Sequence, residues 1–157
     1  LLPHLGSLYL HICVECIYAN LLGHRPKSLV LFGGSRTAKT TWARSLGRHL
    51  YVIGLMSGAE CAKGCDAEYA VFDDIRGGLG YFHGYKEWLG AQPHVSIKVL
   101  YKEPYYMKWN KPSIWVCNTD PRLDAYGPGN RPDFEWMEQN CDFIEVTSHL
   151  ISHANTE

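Results

Sequence analysis

The sequence lacks the features of a membrane-spanning, a disordered or a disulfide-stabilised protein. Its most apolar stretch, residues 8–22, contains His11, Glu15 and Asn20 and falls short of the roughly 20 apolar residues that cross a bilayer. Disorder is excluded because 46% of the 157 residues are hydrophobic and the net charge is only −1. The six cysteines do not form the pattern of a disulfide framework in a chain of this length, which favours a reducing compartment. We therefore expect one globular domain of ordinary size with no membrane partner.

The net charge is close to zero, but the charged residues are unevenly distributed along the chain. Residues 1–131 carry 15 Lys and Arg but 10 Asp and Glu, whereas residues 132–157 carry six acidic residues and no Lys or Arg. A strongly basic domain would indicate a nucleic-acid partner directly. Here the small net charge does not exclude such a partner, because the basic residues are concentrated in one part of the chain.

Apolar runs that alternate with helical patterns predict an α/β fold with a layered sheet. The predicted strands are 28–32, 51–56, 69–72, 113–117 and 143–146, and the predicted helices are 7–22 and 40–50. We expect residues 1–24 to form an N-terminal helical segment, either an oligomerisation or linker region or a non-native remnant, and residues 25–157 to form the main domain. Because the first residue is Leu1 and not Met, we also expect the chain to be a piece of a longer protein.

A phosphate-binding loop is predicted between the first strand and the helix that follows it. Gly33-Gly34-Ser35-Arg36-Thr37-Ala38-Lys39-Thr40 matches the Walker A pattern GxxxxGK[ST] except at Ala38. Backbone N–H groups of such a loop cradle phosphate oxygens, Lys39 would reach the β- and γ-phosphates, and the Thr40 hydroxyl would ligate Mg²⁺. The predicted cofactors are therefore ATP and Mg²⁺, and the alternative is a glycine turn with a surface lysine. The predicted nucleotide-binding residues are Gly33, Gly34, Ser35, Arg36, Thr37, Ala38, Lys39, Thr40 and Thr41.

Ala38 stands where the Walker A pattern has its second glycine. The alanine keeps its backbone N–H but adds a Cβ close to the phosphates. If the position needs a left-handed backbone, alanine costs roughly 1–2 kcal/mol there. The loop would then bind nucleotide less well, or the chain would be a degraded copy of an active protein.

Polar side chains also follow two other predicted strands. Asp73 and Asp74 come directly after the third strand, and Asn118 follows the fourth. At the carboxyl edge of a parallel sheet, Asp73 could hold the Mg²⁺ shell, Asp74 could orient or deprotonate the attacking water, and Asn118 could bind the γ-phosphate. The alternatives are an acidic pair that begins a turn before Gly77-Gly78 and an asparagine that begins a turn of its own.

The segment between these motifs, Lys98–Lys111, combines cations with aromatic rings. It contains four lysines and one glutamate, and its interleaved rings are Tyr101, Tyr105, Tyr106 and Trp109. Cations that follow a phosphate backbone and rings that stack on bases are typical of single-strand binding. The alternative is an exposed hairpin whose rings pack against the domain.

Together the three strand-end motifs resemble motifs A, B and C of superfamily 3 helicases. More narrowly, the sequence resembles the helicase domain of replication-associated (Rep) proteins from geminiviruses and genomoviruses, which are small circular single-stranded DNA viruses. The resemblance runs from about Arg25 to Val146. It is carried by Ser35–Gly47, Tyr69–Ile75, Gly77-Gly78, Lys86–Gln92, Lys111–Trp115 and Cys117-Asn118.

The resemblance implies that residues 25–157 form an AAA+-like P-loop NTPase domain with a central, mostly parallel sheet flanked by helices. Such a domain assembles into a hexameric ring, hydrolyses ATP and moves along single-stranded DNA during rolling-circle replication in the host cell nucleus. Lys98, Lys102 and Lys108 would contact DNA, and Arg122, or alternatively Arg131, would act as the arginine finger. The competing hypothesis is a catalytically silent, nucleotide-gated oligomerisation or DNA-binding module, as in a degraded or host-resident viral copy.

Overall fold

The structure, a computed structural model, describes residues 22–151 and has a central sheet of five parallel strands. In chain order the strands of the molecule are β1 (Ser28–Phe32), β2 (His49–Ile53), β3 (Tyr69–Asp73), β4 (His94–Ile97), β5 (Tyr105–Lys108), β6 (Ser113–Val116) and β7 (Cys141–Glu145). The central sheet has the order β2-β3-β6-β1-β7, and β4 and β5 form a separate antiparallel hairpin. The carboxyl ends of β1, β3 and β6 therefore lie side by side at one edge.

Short helices cover the sheet. They are α1 (Lys39–Arg44), α2 (Gly58–Cys61), α3 (Tyr85–Leu89) and α4 (Phe134–Asn140), with 3₁₀ turns at Ala62–Asp66 and Gly78–Tyr81. Within residues 22–151, none of the helices combines the length and the apolar character that a membrane crossing requires.

The core lies on both faces of the sheet. Every residue of β1, β3 and β6 is buried, which explains why these strands are continuous apolar runs and not alternating ones. On one face Phe72 packs against Phe82 and Trp88, with ring centroids 4.5 and 5.3 Å apart. On the other face Trp42 of α1 packs in a second cluster with Leu31. The strands are thus held rigidly from both sides.

The predicted α/β class and the parallel sheet flanked by helices are confirmed. The strand predicted at 28–32 matches β1, and the third, fourth and fifth predicted strands differ from β3, β6 and β7 by no more than two residues at either end. The predicted helix 7–22 lies outside the described residues except for Leu22. The division of the chain at residue 24 therefore stays a prediction.

Three predicted boundaries are wrong around β2. The helix predicted at 40–50 ends at Arg44, because the backbone N–H and the hydroxyl of Ser45 both donate to the Trp42 carbonyl and so close the helix. The chain then enters β2 at His49, two residues before the predicted strand. β2 also ends earlier than predicted, because Gly54 has a positive φ of 75° that turns the chain.

A buried hydroxyl connects β3 to α1. The Tyr69 side chain is 6% exposed and its hydroxyl donates to the Ala43 carbonyl at 2.7 Å. We expect Tyr69→Phe to lower the free energy of unfolding by about 1–2 kcal/mol, because a buried carbonyl loses its donor. Urea unfolding measures this change. Tyr106→Phe is the matched control, since that ring is 76% exposed, and it should change stability by less than about 0.5 kcal/mol. Equal effects of the two substitutions would contradict the prediction.

Candidate active site

The three strand-end motifs meet in one cleft at the carboxyl edge of the sheet. The cleft has a volume of about 300 Å³. Its lining residues are Ser35, Arg36, Thr37, Ala38, Lys39, Thr40, Ile53, Asp73, Asp74, Val116, Cys117 and Asn118. This is the edge at which open parallel sheets bind their ligands.

The loop between β1 and α1 has a backbone that few residues tolerate. Gly33 has a φ of 141°, and a Cβ at this position would overlap the carbonyl oxygen of Val146, the residue that follows β7. Arg36 and Ala38 are left-handed, with φ of 61° and 62°. The close approach to β7 and the left-handed turns together fold the loop back over the start of α1.

Ala38 therefore occupies the left-handed conformation for which the Walker A pattern uses glycine. Its φ and ψ of 62° and 22° lie in the region that costs a residue with a Cβ roughly 1–2 kcal/mol. Ala38 also lines the cleft. The loop keeps the glycine-like backbone in spite of the alanine, and the cost is local strain.

Lys39 is buried in the loop that precedes it. Its side chain is 5% exposed, and Nζ donates to the carbonyls of Gly33 and Gly34 at 2.8 and 2.6 Å and to Thr37 Oγ1 at 3.1 Å. Burial lowers the pKa of the Lys39 ammonium from its ordinary value, and the nearby Asp73 carboxylate opposes that effect. The amine is thus held where the loop would receive phosphate oxygens.

Thr40 and Asp73 are in direct contact. The Thr40 hydroxyl donates to Asp73 Oδ2 at 2.9 Å, and the Asp73 side chain is nearly buried, with 8% exposed. A hydroxyl and a carboxylate are hard oxygen donors that fit Mg²⁺, which takes few protein ligands and completes its shell with water and phosphate. Within residues 22–151 there is no group of three or more His, Cys, Asp or Glu residues arranged to hold a metal ion. The pair therefore fits an ion shared with a nucleotide better than a closed protein cage.

Sequence reasoning missed Tyr51, which lies on the neighbouring strand β2. Its hydroxyl donates to Asp73 Oδ2 at 2.7 Å, the same oxygen that accepts from Thr40. Burial and this hydrogen bond raise the pKa of Tyr51 to about 12, so the hydroxyl stays a donor at neutral pH. No motif marks the residue. The only available signal was its place on a strand beside the one that ends in Asp73.

Asp74 and Asn118 stand at the ends of adjacent strands. The Asp74 N–H continues the sheet ladder by donating to the Val116 carbonyl at 3.1 Å, and its φ of 47° turns the chain out of the sheet. Asn118 follows Cys117, whose N–H donates to the Leu31 carbonyl at 2.9 Å. Both side chains are exposed and line the cleft as well as an adjoining cavity of about 270 Å³. A carboxylate and an amide thus face the same solvent-filled space.

Four of the predicted catalytic and nucleotide-binding residues are not among those that line the cleft: Gly33, Gly34, Thr41 and Arg122. The carbonyls of Gly33 and Gly34 bind Lys39 within the loop. Thr41 is exposed on α1. The Arg122 guanidinium binds Asp120 at 2.8 Å and Glu138 at 3.3 Å and lies 4.4 Å from the ring centre of Phe143. The hydrogen bond from Arg122 lowers the pKa of Asp120.

The second candidate for the arginine finger, Arg131, is exposed, with its guanidinium 5.4 Å from the ring centre of Phe134. Arg122, in contrast, is held by carboxylates of its own chain. Neither arginine lines the cleft of its own chain. The assignment of the arginine finger therefore stays a prediction.

The cationic segment forms the β4–β5 hairpin. Ser96 pairs with Tyr106 and His94 with Lys108, so these residues share one face, while Val95 and Met107 are buried on the other. Lys98, Lys102 and Lys108 are all exposed. We define the outward face of the hairpin by Lys98, Lys102, Tyr106 and Lys108.

Trp109 does not belong to this outward face, which corrects the interpretation of all four rings as base-stacking groups. It is 3% exposed and packs on Trp88 with ring centroids 4.8 Å apart. In contrast, Tyr101 is fully exposed at the turn and Tyr106 is 76% exposed. The reason is strand geometry. Along β5 Met107 is buried and Lys108 is exposed, so the next residue, Trp109, points to the buried side again.

Comparison with known proteins identifies the family. No protein-family model matches the chain. Over 130 residues the chain is 39% identical to the Replication-associated protein of Cabbage leaf curl virus (isolate Jamaica), and this similarity covers 80% of the chain. It covers 37% of that viral protein, so the chain spans a little over a third of its length. By this similarity the chain belongs to the Rep-type viral replication-associated proteins.

Proposed function

We propose that this chain is the ATP-hydrolysing helicase domain of a viral replication-associated protein and that it acts in rolling-circle replication of single-stranded circular DNA. The contact between Thr40 and Asp73 beside the buried Lys39 carries the proposal. P-loop enzymes use this combination for phosphoryl transfer: a hydroxyl hydrogen-bonded to a carboxylate, beside a lysine amine of the loop. The name of the Cabbage leaf curl virus relative supports the role in replication.

In this proposal each residue of the cleft has a separate role in ATP hydrolysis. Lys39 leaves the carbonyls of Gly33 and Gly34 and binds the β- and γ-phosphate oxygens. Thr40 and Asp73 would hold Mg²⁺, which would neutralise phosphate charge. Asp74 orients the attacking water and accepts its proton, and Asn118 binds the γ-phosphate without adding negative charge.

The outward face of the hairpin supports the DNA-binding part of the proposal. Its three exposed lysines can follow a phosphate backbone, and Tyr106 can stack on a base. We extend the proposal to a homo-oligomeric ring, hexameric as the resemblance implies, and to the host cell nucleus as the place of action. In that ring an arginine of the neighbouring subunit, Arg122 or Arg131, would complete the site.

One observation favours a second candidate function. The left-handed backbone of Ala38 places strain in the loop that would bind phosphate. A chain in which that strain prevents productive binding of the triphosphate would be a nucleotide-gated oligomerisation or DNA-binding module without turnover. Measurement of ATP hydrolysis with and without single-stranded DNA separates the two candidates.

We expect Lys39→Ala to lower ATP turnover by about 100-fold or more, because the substitution removes the charge that stabilises the transferring phosphoryl group. Release of inorganic phosphate measures the effect. Lys63→Ala is the matched control, because Lys63 is exposed and paired with Glu60, outside the cleft. Turnover in Lys39→Ala equal to that of the control would remove Lys39 from its proposed role, and no turnover in the wild-type protein would favour the second candidate.

We expect Ala38→Gly to raise the free energy of unfolding by roughly 1 kcal/mol, because glycine adopts the left-handed backbone without the Cβ penalty, which outweighs its larger unfolded-state entropy. Thermal and urea unfolding measure this change. The same substitution should tighten nucleotide binding and increase turnover. Ala59→Gly serves as the control, since Ala59 is exposed in α2, where glycine is expected to destabilise by about 1 kcal/mol. Destabilisation at both positions would show that Ala38 is not strained.

We expect Lys102→Ala combined with Lys108→Ala to weaken binding of single-stranded DNA and to flatten its salt dependence by about 0.7 in the log–log slope for each lost phosphate contact. Fluorescence anisotropy of a labelled oligonucleotide over a range of salt concentrations measures both quantities. Lys27→Ala combined with Lys63→Ala removes the same charge where each lysine has a carboxylate partner and should leave the slope unchanged. Identical slopes for the two double variants would place the DNA contact elsewhere.

A further inference from the structure

We infer that Tyr51 is a positioning residue for the metal-holding pair, and that it sets the orientation of the Asp73 carboxylate toward Thr40. This inference rests on the function proposed above. Thr40 and Asp73 come from the motifs themselves, whereas Tyr51 belongs to none of them and reaches the pair from the edge strand β2.

The first observation is that two hydroxyls converge on one oxygen. Tyr51 donates to Asp73 Oδ2 at 2.7 Å and Thr40 donates to the same Oδ2 at 2.9 Å. Neither hydroxyl engages Oδ1. Because the terminal torsion of an aspartate is broad, a carboxylate with a single donor can rotate, whereas two donors from different directions hold one oxygen in place.

The second observation is that the Tyr51 ring is itself held. The Arg44 guanidinium lies 3.9 Å from the centre of the ring, and Arg44 Nε donates to His49 Nε2 at 3.2 Å. The His49 ring contacts the Gly47 carbonyl through Nδ1 at 2.9 Å. His49 and Tyr51 are alternate residues of β2 and so project on the same side of the strand. Arg44, the last residue of α1, thus holds the Tyr51 ring in the position from which its hydroxyl donates to Asp73.

The consequence for metal binding follows from the direction of the hydrogen bonds. While Thr40 donates its proton to Asp73, the lone pairs of its oxygen are left to ligate a cation in the cleft. Asp73 must stay in the orientation that accepts this proton. Residues that orient metal ligands from outside the coordination shell typically change metal affinity by 10- to 100-fold when they are lost. Tyr51 therefore contributes to the metal-dependent part of nucleotide affinity and not to the part that the loop supplies alone.

The test compares binding of a fluorescent, non-hydrolysable ATP analogue in saturating Mg²⁺ and in EDTA, using the full chain. We expect Tyr51→Phe to reduce the gain in affinity that Mg²⁺ provides by roughly 10-fold and to leave the affinity in EDTA unchanged. Tyr69→Phe is the matched control, because it removes a hydroxyl that binds Ala43 of α1 and does not touch Asp73. It should leave the Mg²⁺ gain at the wild-type value.

A second variant keeps the test decisive if Tyr51→Phe does not fold. Arg44→Gln leaves the Tyr51 hydroxyl in place but removes the guanidinium from its ring, and we expect a smaller loss of the Mg²⁺ gain, about threefold. Binding in EDTA reports whether each variant is folded. If Tyr51→Phe is unfolded, Arg44→Gln decides, and a wild-type Mg²⁺ gain in that variant overturns the inference.

The outcomes separate this inference from the proposed function. A wild-type protein that does not bind the analogue in either condition overturns the proposed function and this inference with it. If the wild-type protein binds with a Mg²⁺ gain and Tyr51→Phe keeps the full gain, the inference alone is wrong. Equal losses in Mg²⁺ and in EDTA also overturn it, because they indicate a general structural role for the tyrosine.

Discussion

The parallel pairing of β1, β3 and β6 is the constraint on which the rest of the molecule depends. The three strands are buried on both faces, so no polar side chain with chemistry to perform can lie along their length. Their parallel direction places all three carboxyl ends at one edge. Polar residues of these strands stand only at the strand termini, and at the carboxyl edge they form a cleft lined by Lys39, Asp73 and Asn118.

The same edge concentrates backbone strain. Arg36, Ala38 and Asp74 all have positive φ, and all three line the cleft. Each side chain in this region costs of order 1–2 kcal/mol, and such strain persists only where the surrounding structure determines the conformation. Here the determinants are the rigid ends of β1 and β3 and the approach of β7 that excludes a Cβ at Gly33. The site is therefore an arrangement that the sheet imposes on the loops, and local preference alone would not produce it.

The parts of the molecule that could be predicted from sequence are those that depend on residues close together in the chain. β1 follows from its apolar run and the glycines after it, and the positions of Asp73 and Asn118 follow from strand ends. What escaped prediction depends on contacts between distant segments. Tyr51 reaches Asp73 from the adjacent strand, and Trp109 is buried against Trp88. The end of α1 at Arg44 was missed because its helical pattern continues beyond it into a strand.

One aromatic cluster connects the strand end at Asp73 with the β4–β5 hairpin. Phe72 directly precedes Asp73 in β3 and packs on Trp88 of α3, which in turn packs on Trp109 at the base of the hairpin. The hairpin belongs to a separate sheet, so these rings, together with Val95 and Met107 in the same core cluster, attach it to the core. A change at Trp88 would disturb the strand end that carries Asp73 and the β4–β5 hairpin together. A substitution on the outward face of the hairpin leaves this packing intact. The cleft and the outward face can therefore be altered separately only by substitution of exposed residues.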